Sequence, residues 1–183
     1  MAVRQRSGPP VPADVTDLES ALTRIAHLMA RAKQHHSIAA EAEVPVDRAA
    51  VPILRLLADS GPLRTSELAV RLAVEAPHIT RQVHRLEELD YLERVADPGD
   101  RRAHRVQLTR AGLDAADRIR TVSQRRVQHA LAHWSPQDRE QLAILFHRMV
   151  DDFLANAPDL GLPAVAAGHV GSGSRPAPPK GTA

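Results

Sequence analysis

Residues 65–89 read TSELAVRLAVEAPHITRQVHRLEEL: a short helical stretch, a tight connection around Val74 and Glu75, and a second helical stretch. The first runs from Thr65 through Leu72. The second runs from Ala76 to about Asp90, with Pro77 in the first turn, where the missing N–H has no helical partner to lose. Ile79, Val83, Leu86 and Leu89 recur on one face of this second stretch and are expected to be buried. Left outward are Pro77, His78, Thr80, Arg81, Gln82, His84 and Arg85. Two helices joined so closely form the helix-turn-helix arrangement. Hydrogen-bonding groups concentrate in the first two turns of the second helix, where a helix lying in a major groove meets base edges and phosphates. Arg81 and Arg85 suit guanine or phosphate, and His78, Thr80 and Gln82 suit either. Glu87, Glu88 and Asp90 gather at the far end, which is expected to point away from a duplex. An ordinary solvated face is the other reading of any such helix, and the flanking sequence has to decide.

Downstream, Tyr91 to Ala96 and Ala103 to Leu108 are short, partly alternating segments on either side of Pro98-Gly99, the pattern of a β-hairpin. The stretch between them, DPGDRRAHRV at residues 97–106, sets Asp100, Arg101 and Arg102 beside a tight turn. Thr109 is placed to cap a long helix whose apolar positions run from Leu113 through Ile119 and Val127 to Trp134. Ser135-Pro136-Gln137-Asp138 ends it and starts the next, with serine at the cap, proline at the first helical position and an acid three residues after the cap. Leu142, Leu145, Phe146, Met149, Val150, Phe153 and Leu154 then form an apolar stripe.

Upstream, Thr16-Asp17-Leu18-Glu19 has the form of a capping box, and Leu18, Leu22, Ile25, Leu28 and Met29 follow at helical spacing. They predict one long helix over residues 14–42. Pro45 resets the chain, and Ala49, Ile53, Leu56 and Leu57 predict a second helix ending near Ser60-Gly61-Pro62. The resulting fold class is mainly α with a small β-hairpin. Long striped helices at both ends, residues 14–42 and 110–156, flank a central unit, residues 45–109, too small to cover them. A two-fold dimer built from the end helices is the economical arrangement; a monomeric bundle folded back on itself is the alternative. Residues 1–12 and 157–183, rich in Pro, Gly, Ala and Ser without periodicity, are expected to be a disordered arm and tail around one unit over 13–156.

The 183 residues are 43% apolar, so aliphatic side chains can build a core although aromatics are nearly absent. Absence of cysteine excludes disulfides and thiolate metal sites. No run approaches the roughly 20 apolar residues of a membrane span, so a soluble cytoplasmic protein without membrane contact is expected. Formal net charge is only +2, so any basic footprint must be local.

Residues 67–112 resemble the centre of the MarR/SlyA family of winged-helix transcription regulators. The matching parts are Glu67-Leu68-Ala69, Ile79-Thr80-Arg81, Leu86-Glu87, Tyr91-Leu92-Glu93-Arg94, Asp100-Arg101-Arg102 and Leu108-Thr109-Arg110-Ala111-Gly112. Each is weak alone, while their order and spacing over some 45 residues are specific. The resemblance implies a homodimer joined by its terminal helices, each protomer presenting a winged helix to half of a pseudo-palindromic DNA operator. It also implies that Arg102 enters the minor groove, that Asp100 holds the arginine in position, and that Arg101 stands beside them for phosphate. A narrow A·T-rich groove concentrates negative potential and accepts a guanidinium. The resemblance further implies repression relieved by a small-molecule effector, often an aromatic or phenolic anion.

Two alternatives stand beside this reading. A zinc-responsive repressor of the same fold could use His129 and His133, four residues apart, with His35 and His36 where the first helix ends. A winged-helix module for protein contacts would keep the fold without needing Arg81 and Arg102. An enzyme is not expected: the chain has no Gly-rich phosphate loop, no His-Glu-x-x-His, no nucleophile elbow and no paired carboxylates in an apolar setting. No cofactor is expected either.

Overall fold

A computed structural model describes residues 12–35 and 38–159. The expected arm and tail lie outside the described residues apart from Pro12 and residues 157–159. The chain divides between Ser37 and Ile38 into two compact units.

The described part of the first unit holds one helix, α1 (Ala13–His35). It begins three residues before the expected capping box, and Thr16 lies inside it, donating its hydroxyl to the Pro12 carbonyl at 3.3 Å. A threonine four residues after a free carbonyl back-bonds rather than caps. Val15, Leu18, Ile25 and Leu28 are all exposed in the single chain.

The second unit opens with α2 (Ile38–Glu41), which ends close to the expected helix end near residue 42; residues 36 and 37 lie outside the described residues. Its end is set by Glu43, which adopts φ 53° and lets the Val44 N–H return to the Ala39 carbonyl at 2.9 Å. This left-handed stop turns Ala39, Ala42 and Val44 into the core. Then come α3 (Ala50–Ser60), α4 (Thr65–Arg71), α5 (Ala76–Glu88), β1 (Leu92–Asp97), β2 (Asp100–Leu108), α6 (Arg110–Ala130) and α7 (Pro136–Ala155). The mainly helical fold class with one hairpin is as expected.

The core is aliphatic throughout. Ile53 and Leu54 of α3, Leu68 of α4, Ile79, Val83 and Leu86 of α5, Val106 of β2 and Ile119 of α6 are fully buried, each contributing about 1.5–3 kcal/mol relative to exposure. Leu89 departs from its predicted place and is 39% exposed. Helix α5 ends at Glu88, and Asp90 at φ 58° reverses the chain, so Tyr91 takes the buried position instead and donates its N–H to Leu86 at 2.9 Å.

Strands β1 and β2 pair antiparallel from Leu92 opposite Leu108 to Ala96 opposite His104. Leu63 adds a one-residue bridge on the other side of β2, exchanging N–H and carbonyl with Val106 at 2.8 and 3.1 Å. A single bridging residue has no periodicity, so this third edge was invisible in the sequence.

Thr109 caps α6 as expected, accepting the Gly112 N–H at 3.0 Å. Helix α6 stops at Ala130 rather than continuing to Trp134, because Ser135 caps α7, accepting the Asp138 N–H at 3.1 Å, and the chain must turn before it. The first half of α6 buries Ala115, Ala116, Ile119 and Val122. Helix α7 buries none of its residues, and its apolar stripe lies on the surface of the single chain.

Candidate nucleic-acid interface

Helix α5 and the hairpin present the cations expected to meet DNA. Ile79, Val83 and Leu86 seat α5 in the core, which fixes the opposite face outward. Pro77, Thr80, Arg81, His84 and Arg85 are exposed, and His78 and Gln82 are half-buried. Their side chains are not equivalent. Arg81 has no hydrogen-bond or ion-pair partner among the described residues. Thr80 turns its hydroxyl back to the Ala76 carbonyl at 2.9 Å. His84 stands 3.4 Å from Glu88 and 3.9 Å from Glu87. Gln82 and Arg85 both donate to one oxygen of Asp47, each at 3.2 Å. Gln82 is therefore turned towards the α2–α3 segment, not presented to a groove, and its Oε1 is buried without a partner among the described residues. Glu87 does more than face away: its carboxylate takes Arg94 of β1 through both Nε (2.6 Å) and Nη2 (3.2 Å), fastening the helix to the hairpin.

The turn itself is only Pro98-Gly99, and β2 starts at Asp100 rather than Ala103. Asp97 faces Asp100, yet the next pair is Ala96 with His104. Residues 101–103 thus have no partner across the ladder and form a bulge, a device that re-aims a side chain. Arg102 sits in its middle, exposed, its guanidinium without a partner among the described residues. Asp100 shapes the bulge by accepting the Arg102 backbone N–H at 3.0 Å, so it orients the arginine through the main chain and not through the guanidinium. The side chain of Arg101 lies outside the described residues.

Sequence reading missed the group that anchors the wing. The Asp97 side chain is 1% exposed and accepts Arg64 Nε and Arg105 Nε on Oδ2, both at 2.7 Å, and the Gly99 N–H on Oδ1 at 2.8 Å. Arg64 precedes α4, so one carboxylate joins the helix-turn-helix to both strands of the wing. An Asp-Pro-Gly turn is an ordinary local signal, and nothing local marks Arg64, 33 residues away, as its partner.

Arg64, Arg105 and the Gly99 N–H hold the Asp97 carboxyl well below the usual carboxylate range. A depressed folded-state pKa contributes stability that is complete above the unfolded value of about 3.9 and is lost as pH falls from there through the folded value. Asp97→Asn is expected to lower stability at pH 7 and to flatten the acid limb below about pH 4. Urea midpoints of both proteins at pH 7 and pH 3 check this; equal loss of stability on acidification would contradict it.

Of the four zinc candidates, the structure describes the side chains of His129 and His133 alone. His129 is in the last turn of α6 and His133 lies beyond its end, so they do not share a helical face. Among the described residues no three potential ligands cluster for a metal. The His35 side chain and His36 lie outside the described residues. No helix among the described residues is long and apolar enough to cross a membrane.

Residues 47–104, from Asp47 through both candidate elements to His104 of the wing, match the model of the MarR family. Over these residues the chain is similar to the MarR family. Among curated relatives, it is 28% identical over 113 residues to the HTH-type transcriptional regulator YkoM of Bacillus subtilis, covering 62% of this chain and 73% of that protein. It is 27% identical over 143 residues to the HTH-type transcriptional repressor NicR of Pseudomonas putida, covering 76% and 87%. In fold it is similar to a MarR family protein from Bacillus stearothermophilus, with TM-score 0.68 at 19% identity over 79% of this chain and 99% of that one. It is also similar to apo MarR of E. coli, with TM-score 0.55 at 20% identity over 77% and 98%.

Proposed function

We propose that this protein is a DNA-binding transcription regulator of the MarR family, a homodimeric repressor that reads a pseudo-palindromic operator. One observation carries the reading: Arg81 on the core-seated helix α5 and Arg102 in the wing bulge are exposed guanidiniums with no partner among the described residues. An intramolecularly paired arginine adds little to a phosphate contact, whereas an unpaired one on a rigid element is ready for phosphate or groove. Dimerisation is supported by the exposed apolar stripe of α7, since monomers rarely expose large contiguous apolar patches. The sense of regulation is supported by the name of NicR, a repressor. Release by a small-molecule effector is supported by the family resemblance, and no residue is assigned to it.

Selection of bound duplexes from a random library at fixed salt tests the proposal. The enriched sequence is expected to be an inverted repeat with half-sites about one helical turn, roughly 34–36 Å, apart. Sedimentation of the complex is expected to give two protomers per duplex. Enrichment of a single unrepeated site, or no enrichment, would overturn it.

A further inference from the structure

Asp47 lies in the segment between α2 and α3, and its carboxylate serves two elements. Oδ1 accepts the Ala50 N–H at 3.0 Å in the first turn of α3. Oδ2 accepts Gln82 Nε2 and Arg85 Nη1, each at 3.2 Å, from two positions three residues apart on α5. A cation of the DNA-facing helix is thereby already paired with an anion of the same chain. The pair remains open to water, with Arg85 62% and Asp47 34% exposed. Exposed pairs of this kind are weak, so a well-placed phosphate can displace the carboxylate.

We infer that Asp47 sets how tightly the DNA-facing helix binds: its carboxylate holds Arg85, and a phosphate must displace it before that guanidinium can contribute to binding. This rests on the DNA-binding reading above. Affinity for arbitrary sequence grows with the number of phosphates neutralised, the salt slope changing by about 0.9 for each. A cation that keeps its own anion contributes almost nothing to that count. Asp47 therefore weakens binding to any duplex that would use Arg85, by up to the worth of the pair.

Asp47→Asn removes the charge while keeping an oxygen for the Ala50 N–H, since asparagine serves helix starts as well as aspartate does. Fluorescence anisotropy over a salt series compares the full chain and its variants on a random-sequence duplex and on the selected operator. Asp47→Asn is expected to bind the random duplex about 3- to 10-fold tighter at low salt, with a slope steeper by about one per protomer. Its operator affinity is expected to rise by at least as large a factor, because the operator complex no longer has to break the pair. Adding Arg85→Ala is expected to restore wild-type binding of the random duplex. Arg85→Ala alone is expected to leave random-duplex affinity within about twofold while weakening operator binding. Unchanged random-duplex binding by Asp47→Asn overturns the inference, as does a gain that survives Arg85→Ala. If Asp47→Asn does not fold, Arg85→Ala alone decides, and a drop of about fivefold or more on random duplex overturns it. Failure of wild type to bind either duplex overturns the DNA-binding reading as well, whereas operator binding with equal random-duplex affinities overturns this inference alone.

Discussion

Arg102→Ala is expected to weaken operator binding by about 1–3 kcal/mol per wing, on the order of 10- to 100-fold in Kd for each wing, while leaving the melting temperature unchanged. The two halves of that expectation have separate causes. Arg102 occupies a bulge opposite no partner strand, exposed and with no intramolecular contact from its guanidinium among the described residues. Truncating a surface side chain without partners changes stability by less than about 0.5 kcal/mol. On the proposed reading the guanidinium acts only between molecules, and its loss would remove a cation from a groove where negative potential is focused. Arg81→Ala in the same titration separates the two elements. A uniform loss on all sequences with a salt slope smaller by about one marks Arg81 as a phosphate contact; a loss confined to particular base pairs marks base reading. Wild-type operator affinity in Arg102→Ala, with the dimer intact, would remove the wing from the interface.

Gly112→Ala is expected to be the most destabilising small substitution in the winged unit, by about 2–4 kcal/mol net of the helix propensity that alanine gains. Gly112 lies in the first turn of α6, against the corner where α5 passes into β1. A Cβ there falls on the Tyr91 carbonyl oxygen and comes within 3.0 Å of its carbon and 3.1 Å of Leu108 Cδ2. Backbone cannot yield as a side-chain tip would. The Tyr91 carbonyl also accepts the Thr109 N–H at 3.1 Å, and the Thr109 hydroxyl donates to the Asp90 carbonyl at 2.5 Å. Pushing α6 away thus breaks the joint between the DNA-facing helix, the wing and the capped start of α6. Thermal unfolding should show a fall on the order of 10 °C, and operator binding should weaken at temperatures where the variant is still folded. A Tm within about 2 °C of wild type would show that α6 can shift without cost.

The two variants also mark how legible the site was. Arg102 and Arg81 could be named from the chain because outward positions follow from periodicity, and a turn signal places a cation beside a hairpin's end. Gly112 belongs to a motif that the resemblance supplied, but the reason for glycine is a backbone contact 21 residues back. Gln82 and Arg85 were read as outward because helical spacing fixes a face, not a partner, and Asp47 lies 35 residues upstream of Gln82. The end of the first helical region near residue 42 was legible, while the left-handed stop at Glu43 that buries Ala39, Ala42 and Val44 was not. The α6 boundary moved because the cap at Ser135 was read correctly but the turn it demands was not subtracted from the helix before it.

Local chemistry in the sequence was sufficient for the element order, the caps at Thr109 and Ser135, the buried face Ile79-Val83-Leu86 and the two exposed arginines. Each depends on residues within a few positions of one another, where propensity, periodicity and turn chemistry act. Tertiary structure alone decided which charges are spent inside the molecule. Asp97 gathers Arg64 and Arg105, Glu87 takes Arg94 and Asp47 takes Arg85, whereas Arg81 and Arg102 keep their charge for a partner. Ion pairing acts over a few ångströms of space whatever the distance along the chain.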